Sequence, residues 1–167
     1  MSARLSHPAA LLALLFAVAI AIGTVLLLLP WAHADGSGTD LVTAIFTATS
    51  AVCVTGLAVV DTGTHWSMFG QVTILVLFQL GGFGMMASAS VLALLIGRRI
   101  GLRSRLALQA ETHSLALADV RSLALLILVV TVVVEGLTTL CLALRFAITY
   151  GMAWTDALWH GLFHAVS

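Results

Sequence analysis

Three apolar runs, Pro8 to Pro30, Met68 to Gly97 and Val120 to Phe146, constrain this chain more than any other feature. Each is long enough to cross ~30 Å of hydrocarbon as a helix, which takes about 20 residues. Only 8% of the 167 residues are charged, whereas a soluble domain carries about a quarter, so there is too little polar surface to face water on every side. Arg4 and Ala32-His33-Ala34 also fit the flanks of a signal peptide. The first run is longer than the ~7 to 15 residues of an ordinary signal core, however, and further spans follow it, so it reads as a span.

All seven basic residues are arginine and they balance seven acids, which gives no net charge to attract nucleic acid. Their placement is more informative. Arg4 precedes the first run, and Arg98, Arg99, Arg103, Arg105 and Arg121 lie in or beside one polar segment, while Asp35, Asp40, Asp61 and Asp156 fall in segments with no neighbouring base. The positive-inside rule then predicts a multi-pass membrane protein with a cytoplasmic N-terminus, a cytoplasmic arginine-rich connector and aspartate-bearing loops outside. Cys53 and Cys141 are far apart in sequence and read as unpaired small apolar residues.

Two shorter apolar segments, Asp40 to Val52 and Trp154 to Ser167, are too short to cross and suit re-entrant helices. They also repeat. Thr39-Asp40 matches Thr155-Asp156, and with one inserted residue Phe46-Thr47-Ala48-Thr49-Ser50 matches Phe163-His164-Ala165-Val166-Ser167. Each copy follows a span. The predicted architecture is an all-α membrane protein of repeated helix, re-entrant pore helix with filter loop, and helix units. The first unit covers 1–99 (spans 8–30 and 68–97, pore helix 40–52, filter 53–57). A cytoplasmic amphipathic linker covers 100–119. The start of a second unit covers 120–167 (span 120–146, pore helix 154–167), its course truncated, so the chain is expected to be an N-terminal fragment.

After the first short helix comes Cys53-Val54-Thr55-Gly56-Leu57, then Ala58 to Gly63, which reads as extended. Non-helical backbone at membrane depth is tolerated only where protein buries it or it lines a watery cavity. Carbonyl rings strip water from ions in filters, and Gly56 permits backbone angles and close approaches that other residues do not. Val54 and Thr55 are stiff at χ1 and help hold such a backbone. The C-terminal end of the preceding helix carries partial negative charge, which favours a cation. From the residues alone, a lined pore and a plain outer loop both stay open.

The stretch Thr47 to Thr64, with Thr-Ala-Thr-Ser-Ala-Val-Cys-Val-Thr-Gly-Leu at its head, resembles the first pore loop of the Trk/Ktr/HKT superfamily of potassium transporters. Phe69-Gly70-Gln71 through Gln79-Leu80-Gly81-Gly82-Phe83-Gly84 resembles the following helix of that family. Val134-Glu135-Gly136 and Gly161 to Ser167 resemble its second unit, in the manner of the Ktr-type branch. The resemblance implies a channel-like potassium uptake subunit whose pore has four such units, each giving one filter strand. It further implies K+ bound by the backbone carbonyls of Cys53, Val54, Thr55 and Gly56, with Na+ as the alternative ion. Glycine at position 56 resembles potassium-selective members, and serine there is associated with sodium preference. A homodimer and a cytosolic nucleotide-binding regulatory ring are the implied partners, together with the lipid bilayer.

Other chemistry-bearing residues have plainer readings. Glu135 sits in the third run, where an ionisable group costs at least ~2.5 kcal/mol, so it should face protein or a cavity in a structural or ion-path role. His160 and His164 have the spacing of a zinc pair, but no third ligand accompanies them, so no metal beyond K+ is expected. Gly81, Gly82 and Gly84 suit close helix packing, Arg145 suits snorkelling, and Asp40 and Asp156 suit helix caps. Two other functions compete with transport. A non-conducting membrane scaffold or accessory protein is the reading that the truncated second unit raises for this chain taken alone. An intramembrane enzyme would need a nucleophile and base at depth, and Ser50 and His164 belong to separate repeats, so no catalytic residue is assigned.

Overall fold

The computed structural model describes residues 8–97 and 116–167, and the arginine-rich connector, apart from its helical end at 116–119, lies outside them. The described chain is helical: α1 (Pro8–Leu28), a 3-10 turn (Pro30–Ala32), α2 (Leu41–Val52), α3 (Thr62–His65), α4 (Met68–Gly97), α5 (Ala116–Tyr150) and α6 (Trp154–Val166). It divides into two compact units, Met1–Met85 with Val166–Ser167, and Met86–Ala165.

In the first unit, α1 opens on Pro8, whose fixed φ suits a helix start. It stops before Pro30, because proline forces the preceding residue out of the α region; Leu29 is extended at φ −64° and ψ 140°. The chain then pairs with a distant segment. His33 and Trp66 form an antiparallel bridge, with Ser67 N donating to Ala32 O at 2.9 Å and Ala34 N donating to His65 O at 3.1 Å. Gly70 is required beside this neck, since a Cβ there would overlap the Ala32 carbonyl oxygen.

Asp40 caps α2, accepting from Thr43 N at 3.1 Å. The 12 residues of α2 rise ~18 Å, little more than half of a hydrocarbon core. Its buried residues are Ala44, Ala48, Ser50, Ala51 and Val52, and the three alanines let it lie close against α1. Asp61 caps α3 through Gly63 N at 3.0 Å and Thr64 N at 2.9 Å. Helix therefore begins at Thr62, where the β-branched run predicts extended backbone through Gly63; two amides held by one carboxylate outweigh that propensity.

In the second unit, α5 contains the run Val120 to Phe146 and ends at Gly151, in the left-handed region at φ +65°, as helix C-termini often do. Gly161 of α6 sits tightly on α5: a Cβ there would lie 2.8 Å from the Thr139 carbonyl oxygen. Among the described residues two helices are long and apolar enough to cross a membrane, Met68–Met86 and Leu125–Tyr150, and α1 contributes the shorter apolar stretch Leu12–Leu28. A core helix of a soluble protein would be mostly buried. The apolar window of Leu125–Tyr150 is 0% buried, so its valines and leucines face outward along the whole length and call for lipid or further helices.

Candidate ion filter

The end of α2 sets the geometry of the loop that follows. Cys53 keeps a helical φ of −84° with ψ 0°. Val54 turns to φ +52° and Gly56 to φ +71°, and between them Thr55 stays outside the positive region. The sign of φ thus alternates along Cys53, Val54, Thr55 and Gly56. In a regular strand, successive peptide groups face opposite ways; alternating the sign of φ turns them toward one side. Positive φ is unusual for any side chain and an outlier for a β-branched one, and such strain collects at functional sites.

Three of the four amides of this segment are tied to the helix end. Cys53 N donates to Thr49 O at 2.9 Å, Val54 N to Ala51 O at 3.1 Å and Thr55 N to Ser50 O at 3.0 Å, each bond folding the loop back on the helix end. The carbonyls behave oppositely. Among the described residues, those of Cys53, Val54, Thr55 and Gly56 accept no protein hydrogen bond, whereas the Leu57 carbonyl accepts from Ser50 Oγ at 2.7 Å. Four consecutive acceptors therefore stand together just beyond the C-terminus of α2, whose own partial charge is negative. No atom lies within 4 Å of a Cβ built on Gly56, so its side of the loop is open.

The loop is braced from behind. A Cβ on Gly81 of α4 would overlap the Val52 carbonyl oxygen, so the α4 backbone lies directly against the last turn of α2. Gly84 approaches Phe16, its Cβ position 3.0 Å from a ring carbon, while Gly82 has nothing within 4 Å. Cys53 and Cys141 are free thiols. Three exposed carboxylates occupy the loops flanking α2 and the 53–57 segment, and hydrogen bonds hold each below the usual carboxylate range: at Asp35 from the Ser37 hydroxyl and amide, at Asp40 from the side chain and backbone of Thr43, and at Asp61 from the backbone and side chain of Thr64. They stay charged at neutral pH.

Glu135 belongs to the second unit, half-buried within the apolar stretch of α5. His160 and His164 lie on α6, where the His164 ring packs 5.9 Å from Phe146, and no group of three or more metal-ligating side chains occurs among the described residues.

Sequence reasoning misses a ring cluster at the neck. His33 is buried, with its ring 4.4 Å from that of His65 and 5.0 Å from that of Trp66. His33 Nε2 and Trp66 Nε1 have no hydrogen-bond partner. Burial, and secondarily His65, push the His33 pKa down, opposed by Asp35. A lowered folded pKa means that below about pH 6.5 the unfolded chain takes the proton first, so this histidine contributes stability that is lost as pH falls. The thermal midpoint in detergent should drop by a few degrees between pH 7.5 and 5.5, and His33→Gln should remove most of that drop. An equal drop in the variant would refute the assignment.

The family of cation transport proteins called TrkH matches residues 4–167, nearly the whole chain. The chain belongs to the TrkH family. This TrkH-family chain is 38% identical over 160 residues to the Ktr system potassium uptake protein B of Bacillus subtilis, covering 96% of this chain and 35% of that protein. It is 35% identical over 164 residues to the potassium/sodium uptake protein NtpJ of Enterococcus hirae, covering 98% and 36%. With the Ktr system potassium uptake protein D of Bacillus subtilis the identity is 34% over 160 residues, covering 96% and 35%. The TrkH-family chain thus spans about a third of the length of these curated relatives. It is an all-helical membrane protein of the Trk/Ktr type, from a family of transporters rather than enzymes.

Proposed function

We propose that the chain is part of a potassium uptake protein and that the carbonyls of Cys53, Val54, Thr55 and Gly56 form one strand of its selectivity filter. The observation that carries this is the run of four carbonyls without protein partners among the described residues, behind which the amides of Cys53, Val54 and Thr55 are tied to α2. Carbonyl oxygens replace the hydration shell of a dehydrated cation, and a pinned backbone keeps them from collapsing around a smaller one. One strand cannot encircle an ion, so the remaining strands come from further units of the same kind. K+ is the transported ion, with Na+ as competitor, since relatives include both potassium and potassium/sodium uptake proteins. Asp35, Asp40 and Asp61 lie on the outer side and concentrate cations at the mouth. Glu135 acts as a structural hydrogen-bonding group within the second unit.

The protein sits in the plasma membrane with 1–99 as the first pore unit, 100–119 as a cytoplasmic connector and 120–167 opening the second. It acts as a homodimer regulated by a cytosolic nucleotide-binding ring, for which the arginine-rich connector is the neighbouring surface. The test is expression of the protein, as its gene encodes it, in a bacterium lacking potassium uptake systems. Growth at submillimolar K+ and saturable Rb+ uptake are expected. Uptake no greater than that of an empty vector, with the protein present in the membrane, would overturn the reading.

A further inference from the structure

Within the filter reading, on which this rests, we propose that Ser50 is a positioning residue for ion selectivity and that its hydroxyl determines where the row of ion-facing carbonyls ends. Ser50 lies in the last turn of α2, only 7% exposed, and its side chain reaches both ends of the loop. Its Oγ is 2.7 Å from Leu57 O and 3.0 Å from Thr55 Oγ1. A carbonyl cannot donate, so the Ser50 proton is committed to Leu57 and the Thr55 hydroxyl must donate to Ser50. The alternative acceptor for Thr55, the Ser50 carbonyl, is farther at 3.4 Å and already takes Thr55 N at 3.0 Å. The proton order is therefore fixed as Thr55 O–H to Ser50 O–H to Leu57 C=O.

This relay has two effects. It draws the Leu57 carbonyl back toward the helix end, which stops the row of unpartnered carbonyls at Gly56. It also holds the Thr55 side chain behind the strand, between the two positive-φ residues Val54 and Gly56, where the backbone would otherwise relax. A buried hydroxyl of this kind is not needed for helix formation, since serine in a helix interior is neutral to unfavourable. A serine recurs in the sequence repeat, which aligns Ser50 with Ser167, the residue directly after α6.

The test is Ser50→Ala, Ser50→Cys and Ser50→Thr in the protein as its gene encodes it, with Gly56→Ser alongside, measured by Rb+ uptake in competition with Na+. Ser50→Ala should lower the preference for K+ over Na+ roughly tenfold and raise the KM for Rb+, because both links are lost. The weak thiol donor of Ser50→Cys should give an intermediate ratio, and Ser50→Thr should restore the wild-type ratio. A merely structural serine would change the amount of protein without changing the ratio. If Ser50→Ala does not accumulate, the contrast between Cys and Thr decides, and equal ratios for those two would overturn the proposal. A wild-type ratio in Ser50→Ala with a shifted ratio in Gly56→Ser would overturn the proposal and leave the filter reading standing. Unshifted ratios in both would overturn both.

Discussion

Gly81→Ala is expected to reduce Rb+ uptake per cell at least tenfold, while Gly82→Ala, one residue away, leaves it at the wild-type level. The added methyl at position 81 would occupy the space of the Val52 carbonyl oxygen and crowd the Val52 carbonyl carbon, both backbone atoms that cannot rotate aside. Either α4 retreats from α2 or the last turn of α2 shifts. Overpacking of this kind costs roughly 1–3 kcal/mol, and here the displaced atoms lead directly into Cys53. At position 82 nothing lies within 4 Å of the new methyl, and alanine is the better helix former by roughly 0.5–1 kcal/mol. Uptake normalised to membrane-inserted protein, together with the thermal midpoint in detergent, separates the two variants. Similar behaviour of both would show that α4 does not brace the filter.

Gly56→Ser should shift selectivity rather than abundance. A serine side chain has room at this position, so the penalty comes from the backbone alone: φ +71° costs a residue with a Cβ roughly 1–2 kcal/mol, about a tenfold change if the strand relaxes to avoid it. The relaxed carbonyls would no longer hold the spacing that suits K+, and Na+ competition against Rb+ uptake should strengthen about tenfold. Gly38→Ser is the control, because Gly38 has φ +82° and equally open surroundings but lies before the cap of α2. An unchanged ratio in Gly56→Ser, or an equal shift in Gly38→Ser, would count against the filter assignment.

The helices were legible where a local rule governs them. Pro30 stops α1, and Asp40 starts α2 because a carboxylate one residue ahead of an apolar run satisfies free amides. Gly56 was legible because glycine commonly marks backbone with positive φ. Val54 was not, since nothing in a β-branched residue announces φ +52°; the backbone bonds that close the end of α2, Val54 N to Ala51 O and Thr55 N to Ser50 O, impose it. The three glycines of α4 looked equivalent in sequence, yet Gly81 meets backbone, Gly84 meets a ring and Gly82 meets nothing. The Ser50 relay and the pairing of His33 with Trp66 join residues by three-dimensional proximity, which helical periodicity does not encode.

That pairing has a mechanical consequence. The segment containing α2 and the filter leaves and re-enters the helical body through a neck fastened by the bridge, by Ser67 N on Ala32 O and by Ser67 Oγ on Trp31 O. The neck ties the end of α1 to the start of α4, so a force parting these two helix ends falls first on its backbone hydrogen bonds. When bilayers of different thickness tilt the spans, the neck keeps the two ends of the segment between His33 and Trp66 together, and the contact of Gly81 with Val52 is the route by which a tilt of α4 reaches the loop.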